Sequence, residues 1–122
     1  MVSIEDREGI RVASIVGEID ASNMHLIRET LKSAAKGAEK CIVSLERCTH
    51  FDAPGIAMLI NVRQDIDSGM VAVVPDGSHL RQILAESGMD RVLLVVDTID
   101  GAIRHIKETS ETPLDAALKI YV

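Results

Sequence analysis

Three short apolar runs, separated by segments of helical pattern, constrain the fold of this chain more than any other feature. The runs are Cys41–Leu45, Met70–Val74 and Val92–Val96. Cys41–Leu45 lacks the alternation of a strand with one wet face, as expected for a central strand covered on both faces. Strands that alternate with helices build α/β domains, so the sequence predicts an α/β fold with a mixed β-sheet.

Helical periodicity marks the segments around these runs. Met24, Ile27 and Leu31 share one face of the first helix, for which Asp20 or Ser22 is the expected N-cap. Gly37 is its expected stop. Three further helices are predicted, from Ile56 to Ser68-Gly69, from about Ser78 to Gly88, and from Asp97 or Thr98 onwards. The expected total is therefore about four.

A hairpin is expected at the start of the domain. Ile10–Val16 alternates as a strand does, Val2 and Ile4 suggest a strand before it, and Glu8-Gly9 lies between the two. With 122 residues the chain fits one domain, which we place at residues 1–107. Residues 108–122 are expected to form a polar linker and an apolar tail, which docks on its own domain or on a partner.

Composition excludes several functions. A net charge of −6 argues against nucleic acid as the main partner, and one Phe, one Tyr and no Trp leave no stacking platform. No signal peptide or membrane-spanning run is recognisable, so a soluble cytoplasmic protein without membrane insertion is expected. Cys41 and Cys48 are interpreted as buried small side chains, and a redox pair is the minor alternative.

Catalytic and metal-binding patterns are not recognisable in the sequence. The four histidines, among them His50, form no pair at metal-ligand spacing, and no nucleophile signature or phosphate-binding glycine loop is present. We expect His50 to be a surface loop residue. The chain is therefore expected to be no enzyme, with no cofactor and no metal.

The junction Phe51–Gly55 joins the central strand region to the second helix. Asp52 suits the N-cap of that helix, and Pro54 is tolerated in its first turn. Such a junction favours an anionic contact, because backbone amides there lack intrahelical partners. Ala53 and Pro54 carry no hydroxyl, so neither residue can be phosphorylated.

The chain resembles a STAS domain, the family of anti-sigma-factor antagonists. The resemblance rests on Gly17-Glu18-Ile19-Asp20 before the first helix, on Asp52-Ala53-Pro54-Gly55-Ile56, and on the stretch from Leu84 through Gly88 to Val92. It implies a STAS-like fold and a partner switch, in which an anti-sigma factor with serine kinase activity binds the unphosphorylated protein. Phosphorylation of a hydroxyl after the junction aspartate would release it.

Ala53 and Pro54 depart from that pattern at the phosphoacceptor position, and Ser44 stands where an Asp commonly ends the strand. The resemblance therefore implies a binding module without the usual switch; Thr49 is the nearest substitute acceptor, with a plain loop threonine as the alternative. Met58 is assigned to an adaptable contact or to the core. The expected partner-binding residues are Asp20, Ser22, Asn23, Phe51, Asp52, Ala53, Pro54, Gly55 and Met58.

Two other functions stay open at this point. Stand-alone STAS domains also resemble accessory subunits of membrane transport machines of the ABC type, for which a missing phosphoacceptor would be no defect. A small-ligand sensor would require a cavity. The expected partner is therefore a kinase-type anti-sigma factor or a transporter subunit, and a homodimer is open as well.

Overall fold

The architecture is a five-stranded mixed sheet with helices on both faces, accompanied by a separate two-stranded pair. A computed structural model describes residues 2–36, 40–51, 53–65, 70–88, 91 and 93–109. The strands are β1 (Val2–Arg7), β2 (Ile10–Ile15), β3 (Gly17–Ile19), β4 (Cys41–Ser44), β5 (Cys48–Phe51), β6 (Met70–Val73) and β7 (Leu94–Val96). The helices are α1 (Met24–Ala35), α2 (Ala53–Asp65), α3 (His79–Ser87) and α4 (Ile99–Thr109). The predicted α/β fold with an opening hairpin and four helices is confirmed.

The sheet has the strand order β1-β2-β4-β6-β7. β1 pairs antiparallel with β2, and the other three pairs are parallel. The hairpin turn Glu8-Gly9 has φ values of 54° and 83°, which is the geometry of a two-residue turn whose twist suits a hairpin.

Two hydrophobic clusters lie on opposite faces of the sheet, because side chains alternate along each strand. On one face, Ala13 and Ile15 of β2 pack with buried residues of α1, α2 and α3. On the other face, Ile10 and Val12 pack with Ala102, Ile103 and Ile106 of α4. Of the described helices, α1, α2 and α3 therefore cover one face and α4 covers the other.

The final apolar run is less buried than its composition suggests. Residues Val92–Val96 were expected to form a buried strand, but β7 spans only Leu94–Val96 and Leu94 is 42% exposed. Among the residues that the structure describes, β7 has a neighbouring strand on one side only, so it lies at the edge of the sheet. Leu93, just before it, is buried in the core.

Local signals fix the ends of α3. The Ser78 hydroxyl accepts a hydrogen bond from the Arg81 amide, and Gly88 adopts φ 76°, a left-handed conformation that suits glycine at a helix end. Helix α4 begins one residue after Thr98, whose hydroxyl oxygen accepts from the Gly101 amide at 2.9 Å. Both starts agree with the sequence predictions.

Helix α4 runs back along the sheet from the end of β7. Near its last turn, the Lys107 ammonium contacts the Glu8 carboxylate in the hairpin turn. The helix continues to Thr109, two residues past the expected domain boundary at 107. The expected tail from residue 110 onwards lies outside the described residues, so the proposed boundary and the tail stay predictions.

Candidate functional site

A short parallel pair, β3 with β5, positions the residues that the sequence analysis singled out. Its register aligns Gly17 with Cys48, Glu18 with His50 and Ile19 with Phe51. Parallel strands finish at the same end, so the turn of residues 20–23 and the start of α2 at Ala53 lie on the same side of the pair. Helices α1 and α2, which begin there, pack against each other.

No sequence pattern predicted this pair. Gly17–Asp20 was expected only to precede the first helix and His50 to be a surface loop residue, whereas His50 lies within β5 opposite Glu18. The available signal was weak, because strands of three and four residues are too short to establish a period of two. Cys48 packs half-buried against the core and contributes to holding the pair in place.

Asp20 organises the turn that precedes α1. Its Oδ1 accepts hydrogen bonds from the Ser22 amide, at 2.9 Å, and from the Ser22 hydroxyl. Its carbonyl oxygen accepts from the amides of Asn23 and Met24, at 3.3 and 2.9 Å. These bonds explain why three consecutive residues, 21–23, form a closed turn rather than a continuation of β3.

Asn23, and neither Asp20 nor Ser22, is the residue at the N-cap of α1. The predicted cap was therefore wrong, since the Asp20 carboxylate bonds to Ser22 within the turn. The Asn23 side chain also gives no capping hydrogen bond to the first turn. Its Oδ1 accepts from the Asp20 amide at 3.0 Å and its Nδ2 donates to the Glu18 carbonyl at 2.8 Å. Asn23 thus closes the turn against β3.

The Asp20 carboxyl favours its ionised form. Hydrogen bonds from the Ser22 hydroxyl, and then from the Ser22 amide, lower its pKa below the ordinary value. Burial opposes these two bonds in part, and weaker contributions from a backbone bond of Asn23 and from the charge of His50 lower the pKa further. The site therefore presents a carboxylate at neutral pH, with a histidine beside it.

The start of α2 supplies the second part of the site. Phe51 ends β5, and Ala53 and Pro54 open the helix, while Gly55 is buried. Asp52 lies outside the described residues, so its expected roles as cap and anionic contact stay predictions. An amide-rich helix start next to the Asp20 turn is a suitable place for a polar contact.

Met58 belongs to the core. Only 3% of it is exposed, and it packs in the cluster that contains Leu59 and Val62. Met58 therefore fits the core role. Too little of its surface is exposed for the expected direct contact with a partner. Met58 does reach the floor of a groove of about 300 Å³ between α1 and α2, which is lined by Met24, His25, Arg28, Ala57, Met58 and Asn61.

An exposed apolar side chain adjoins the turn and was not singled out from the sequence. Leu26, in the first turn of α1, is 70% exposed. The helical pattern did not predict this exposure. Leu26 lies between Met24 and Ile27, and a single leucine on the solvent face does not interrupt the apolar periodicity. The surface formed by the Asp20 turn and the first turn of α1 is therefore both anionic and apolar.

Other kinds of site find little support in the described ranges. No three His, Cys, Asp or Glu side chains there are arranged to hold a metal ion. None of the helices described combines the length and apolar character that crossing a membrane requires. A groove of about 600 Å³ lies on the α4 side of the sheet, between Arg7, Ser14, Arg47 and Asp100. Its mixture of both charge signs points to no one class of ligand.

Comparison with known proteins gives one consistent result. The family model described as "STAS domain" matches residues 1–102. A protein of Thermotoga neapolitana, provisionally named a homolog of an anti-sigma factor antagonist, is 22% identical over 94 residues, covering 74% of this chain and 83% of its own.

Solved structures agree in fold at low sequence identity. An anti-sigma factor antagonist from Mycobacterium paratuberculosis superposes with a TM-score of 0.80 at 19% identity, covering 88% of this chain and 93% of its own. The anti-sigma factor antagonist SpoIIAA in its unphosphorylated form gives 0.64 at 18% identity, with 88% and 98% covered. The Bacillus cell fate determinant SpoIIAA in its phosphorylated form gives 0.61 at 20% identity, with 87% and 99% covered.

Proposed function

The chain belongs to the STAS domain family, and from that premise we propose that it is a non-enzymatic, protein-binding regulator of the anti-sigma-factor-antagonist type. Relatives and structural neighbours that carry this name support the proposal. The partner we propose is a kinase-type anti-sigma factor, met in the cytoplasm.

One observation carries the assignment of the binding surface. The parallel register of β3 and β5 brings the Asp20 turn and the start of α2 to the same end of the strand pair. We call this the β3–β5 end surface: Asp20, Ser22 and Asn23 with the segment Phe51–Gly55. The contacts within the turn hold Asp20 and Asn23 in fixed positions before any partner arrives, which lowers the entropy cost of binding.

The chemistry of this surface suits a protein partner. The Asp20 carboxylate offers a charge for steering and orientation, and the neighbouring Leu26 offers apolar area that binding would remove from water. Met58 is left out of the proposed contact because it is buried. The Ala53-Pro54 pair at the start of α2 has no atom that a kinase could modify, so this half of the surface keeps one charge state.

We propose neither a transporter subunit nor a homodimer. The known proteins named above are antagonists or a cell fate determinant, and none is named as part of a transport machine. No contact between described residues favours either alternative over the antagonist.

Capture of the partner tests the proposal. The full chain, used as bait in a lysate of its source organism, is expected to retain an anti-sigma factor with an ATP-binding kinase domain, identified by mass spectrometry. Asp52→Lys is expected to weaken binding of the isolated partner about tenfold or more, because a reversed charge removes complementarity. Circular dichroism should be unchanged.

The matched control is Glu108→Lys, which makes the same change of net charge at an exposed position of α4, on the opposite face of the sheet. It should bind like the parent chain. If the Asp52→Lys variant and the parent bind the partner with equal affinity, the Phe51–Gly55 junction is not part of the interface. Retention of transporter subunits instead of a kinase would overturn the antagonist assignment.

A further inference from the structure

Helix α4 covers its face of the sheet over part of the width only. It packs on β4, β6 and β7, and one helix, about 10 Å across, covers little more than two strands that lie about 4.8 Å apart. In β1, Glu5 and Arg7 lie opposite Val12 and Ile10, which belong to the cluster beneath α4, so both side chains point to this face. Both are exposed. The β1 side of this face is therefore an open sheet surface beside α4.

The groove of about 600 Å³ described above lies on this open surface, between β1 and the start of α4. We call it the α4–β1 groove. Ser3, Ser14 and Ser44 line it and stand opposite one another in the registers of β1, β2 and β4, so three small side chains leave room above the sheet. Val16 and Ile99 also line it and are half-buried. A further element in the groove would thus remove apolar area from water.

The sequence that follows α4 has the pattern of a short amphipathic helix. Residues 110–122 lie outside the described residues. Thr112 suits an N-cap, Pro113 the first helical position and Asp115 the third, where an acidic side chain can bond back to the cap. The side chains that recur at helical spacing after this start are apolar: Leu114, Ala117, Leu118 and Tyr121. A helix of about ten residues is not stable alone in water, so its apolar face needs a surface to pack on.

We propose that residues 113–122 form a helix that packs in the α4–β1 groove, antiparallel to α4. This inference goes beyond the proposed regulator function and does not depend on the identity of the partner. As a helix the segment spans about 15 Å, and the six residues of β1 span about 20 Å, so the segment fits along the strand. The occupant of the groove is then a segment of this chain.

The end of α4 determines where the segment starts. The Lys107 ammonium contacts the Glu8 carboxylate, so α4 ends beside the hairpin that joins β1 to β2. Three residues, 110–112, connect Thr109 to Pro113, and helices joined by so short a connection pack as antiparallel neighbours. On one side of α4, β7 is the edge strand of the described sheet, so sheet surface extends beyond α4 toward β1. A helix next to α4 that also rests on the sheet therefore lies in the α4–β1 groove.

Charges on the segment and on β1 follow in complementary order. A helix that starts at the hairpin meets Arg7 first and then Glu5, about 7 Å further along β1. The segment carries Asp115 first and then Lys119, about 6 Å later along a helix. Arg7 and Glu5 pair with each other at 3.3 Å and are about half exposed, so exchanging this pair for two pairs with the segment costs little. The antiparallel direction therefore brings each charge near its opposite.

Leu118→Asp tests the docking in the full chain, because it places a charge on the apolar face of the segment. In amide NMR spectra, the resonances of Ser14 and Ile99 in the groove are expected to shift, while those of α3, on the other face of the sheet, keep their positions. The matched control is Ala116→Asp, which adds the same charge on the opposite side of the predicted helix and should leave the groove resonances in place. Unchanged Ser14 and Ile99 resonances in Leu118→Asp, or equal shifts in both variants, overturn the inference.

Chemical cross-linking tests the direction of the segment and the face that it covers. Both natural cysteines are first removed, as Cys41→Ala and Cys48→Ser. In this background, the pair Glu5→Cys and Lys119→Cys is expected to be joined within one molecule by a short bifunctional maleimide, which peptide mapping identifies.

The control for the cross-link pairs Asp6→Cys with Lys119→Cys. Asp6 is the next residue of β1 and lies opposite Arg11, whose guanidinium donates to the Ala34 carbonyl of α1, so it points to the other face of the sheet. Little linking is expected for this pair. Equal linking of both pairs, or none of the Glu5 pair, overturns the inference. Links only between two molecules also overturn it, because the segment would then dock on a second copy.

Discussion

Arg81 and Asp97 form an ion pair that joins the start of α3 to the segment after β7, with Arg81 Nη1 3.0 Å from Asp97 Oδ1. The same nitrogen donates to the Val74 carbonyl at 3.0 Å. Val74 itself donates from its amide to the Val96 carbonyl at 2.9 Å. The Arg81 guanidinium therefore links the segments that directly follow β6 and β7.

Removing this guanidinium should destabilise the domain. We expect Arg81→Ala to lower the free energy of unfolding by about 1–2 kcal/mol, because a part-buried carbonyl oxygen and a carboxylate lose a charged donor. The half-exposed ion pair adds little to this value, since solvent screens it. Chemical denaturation measures the change. Arg104→Ala, at an exposed position on α4, is the control and should be near neutral; equal stability of both variants would refute the role of Arg81.

The two cysteines should react slowly and in a fixed order. Burial raises the pKa of the buried Cys41 thiol to about 11, with a smaller opposing effect from Arg11. Burial also raises the pKa of the half-buried Cys48 thiol. Since the thiolate is the nucleophile, both should label more slowly with iodoacetamide at pH 8 than in the urea-unfolded chain, and Cys48 should label before Cys41. Labelling of Cys41 at the unfolded rate would contradict its burial.

The same shift makes stability fall at alkaline pH. The folded-state pKa of Cys41 is raised above its ordinary value of 9.0, so its contribution is complete below that value. As pH rises from 9.0 through about 11, the unfolded chain ionises first and stability is lost. In a Cys48→Ser background, denaturation midpoints between pH 8 and pH 11 should show this loss, and a further Cys41→Ala replacement should remove the part due to the thiol.

The Ser22 hydroxyl should control the ionisation of Asp20. Its hydrogen bond is the main cause of the lowered Asp20 pKa, so Ser22→Ala is expected to raise that pKa toward 3.8. A lowered folded-state pKa gives stability that is present above the unfolded-state pKa and is lost as pH falls through the folded-state value. The variant should therefore lose less on acidification.

Carboxyl NMR titration of Asp20 measures the shift. Thr30→Ala is a suitable control, because the Thr30 hydroxyl donates to the Leu26 carbonyl further along α1 and does not contact Asp20. If the Asp20 titration curve is the same in Ser22→Ala and in the parent, the hydrogen bond from the Ser22 hydroxyl does not lower the Asp20 pKa.

The sequence predicted the backbone conformation correctly wherever a local chemical signal determined it. Glu8-Gly9 marked the hairpin turn, and Ser78 with Gly88 marked both ends of α3. These signals work because a cap or a left-handed residue acts within a few residues of itself. The apolar run after Gly88 was placed correctly as strand-forming but not as an edge, because an apolar composition does not say which strands will have two neighbours.

The candidate site was only partly accessible from the sequence. Asp20, Ser22 and Asn23 were singled out together, but the N-cap role predicted for Asp20 or Ser22 was wrong, because Asn and Asp side chains can bond either forward into a helix or back into a turn. The pairing of β3 with β5 depends on contacts 31 or 32 residues apart in the chain, and no short pattern reports such a contact. Whether Asp52 completes the surface stays a prediction.

The contact between Lys107 and Glu8 determines the side of the molecule from which a linker fused after α4 would leave. It holds the last turns of α4 against the hairpin, at the pole where β2 and β4 start, whereas the β3–β5 pair begins just after β2 finishes, at the opposite pole. A fusion or immobilisation point placed after Thr109 would thus leave from the far pole. Attached in that way, the molecule would present its proposed recognition face away from the support.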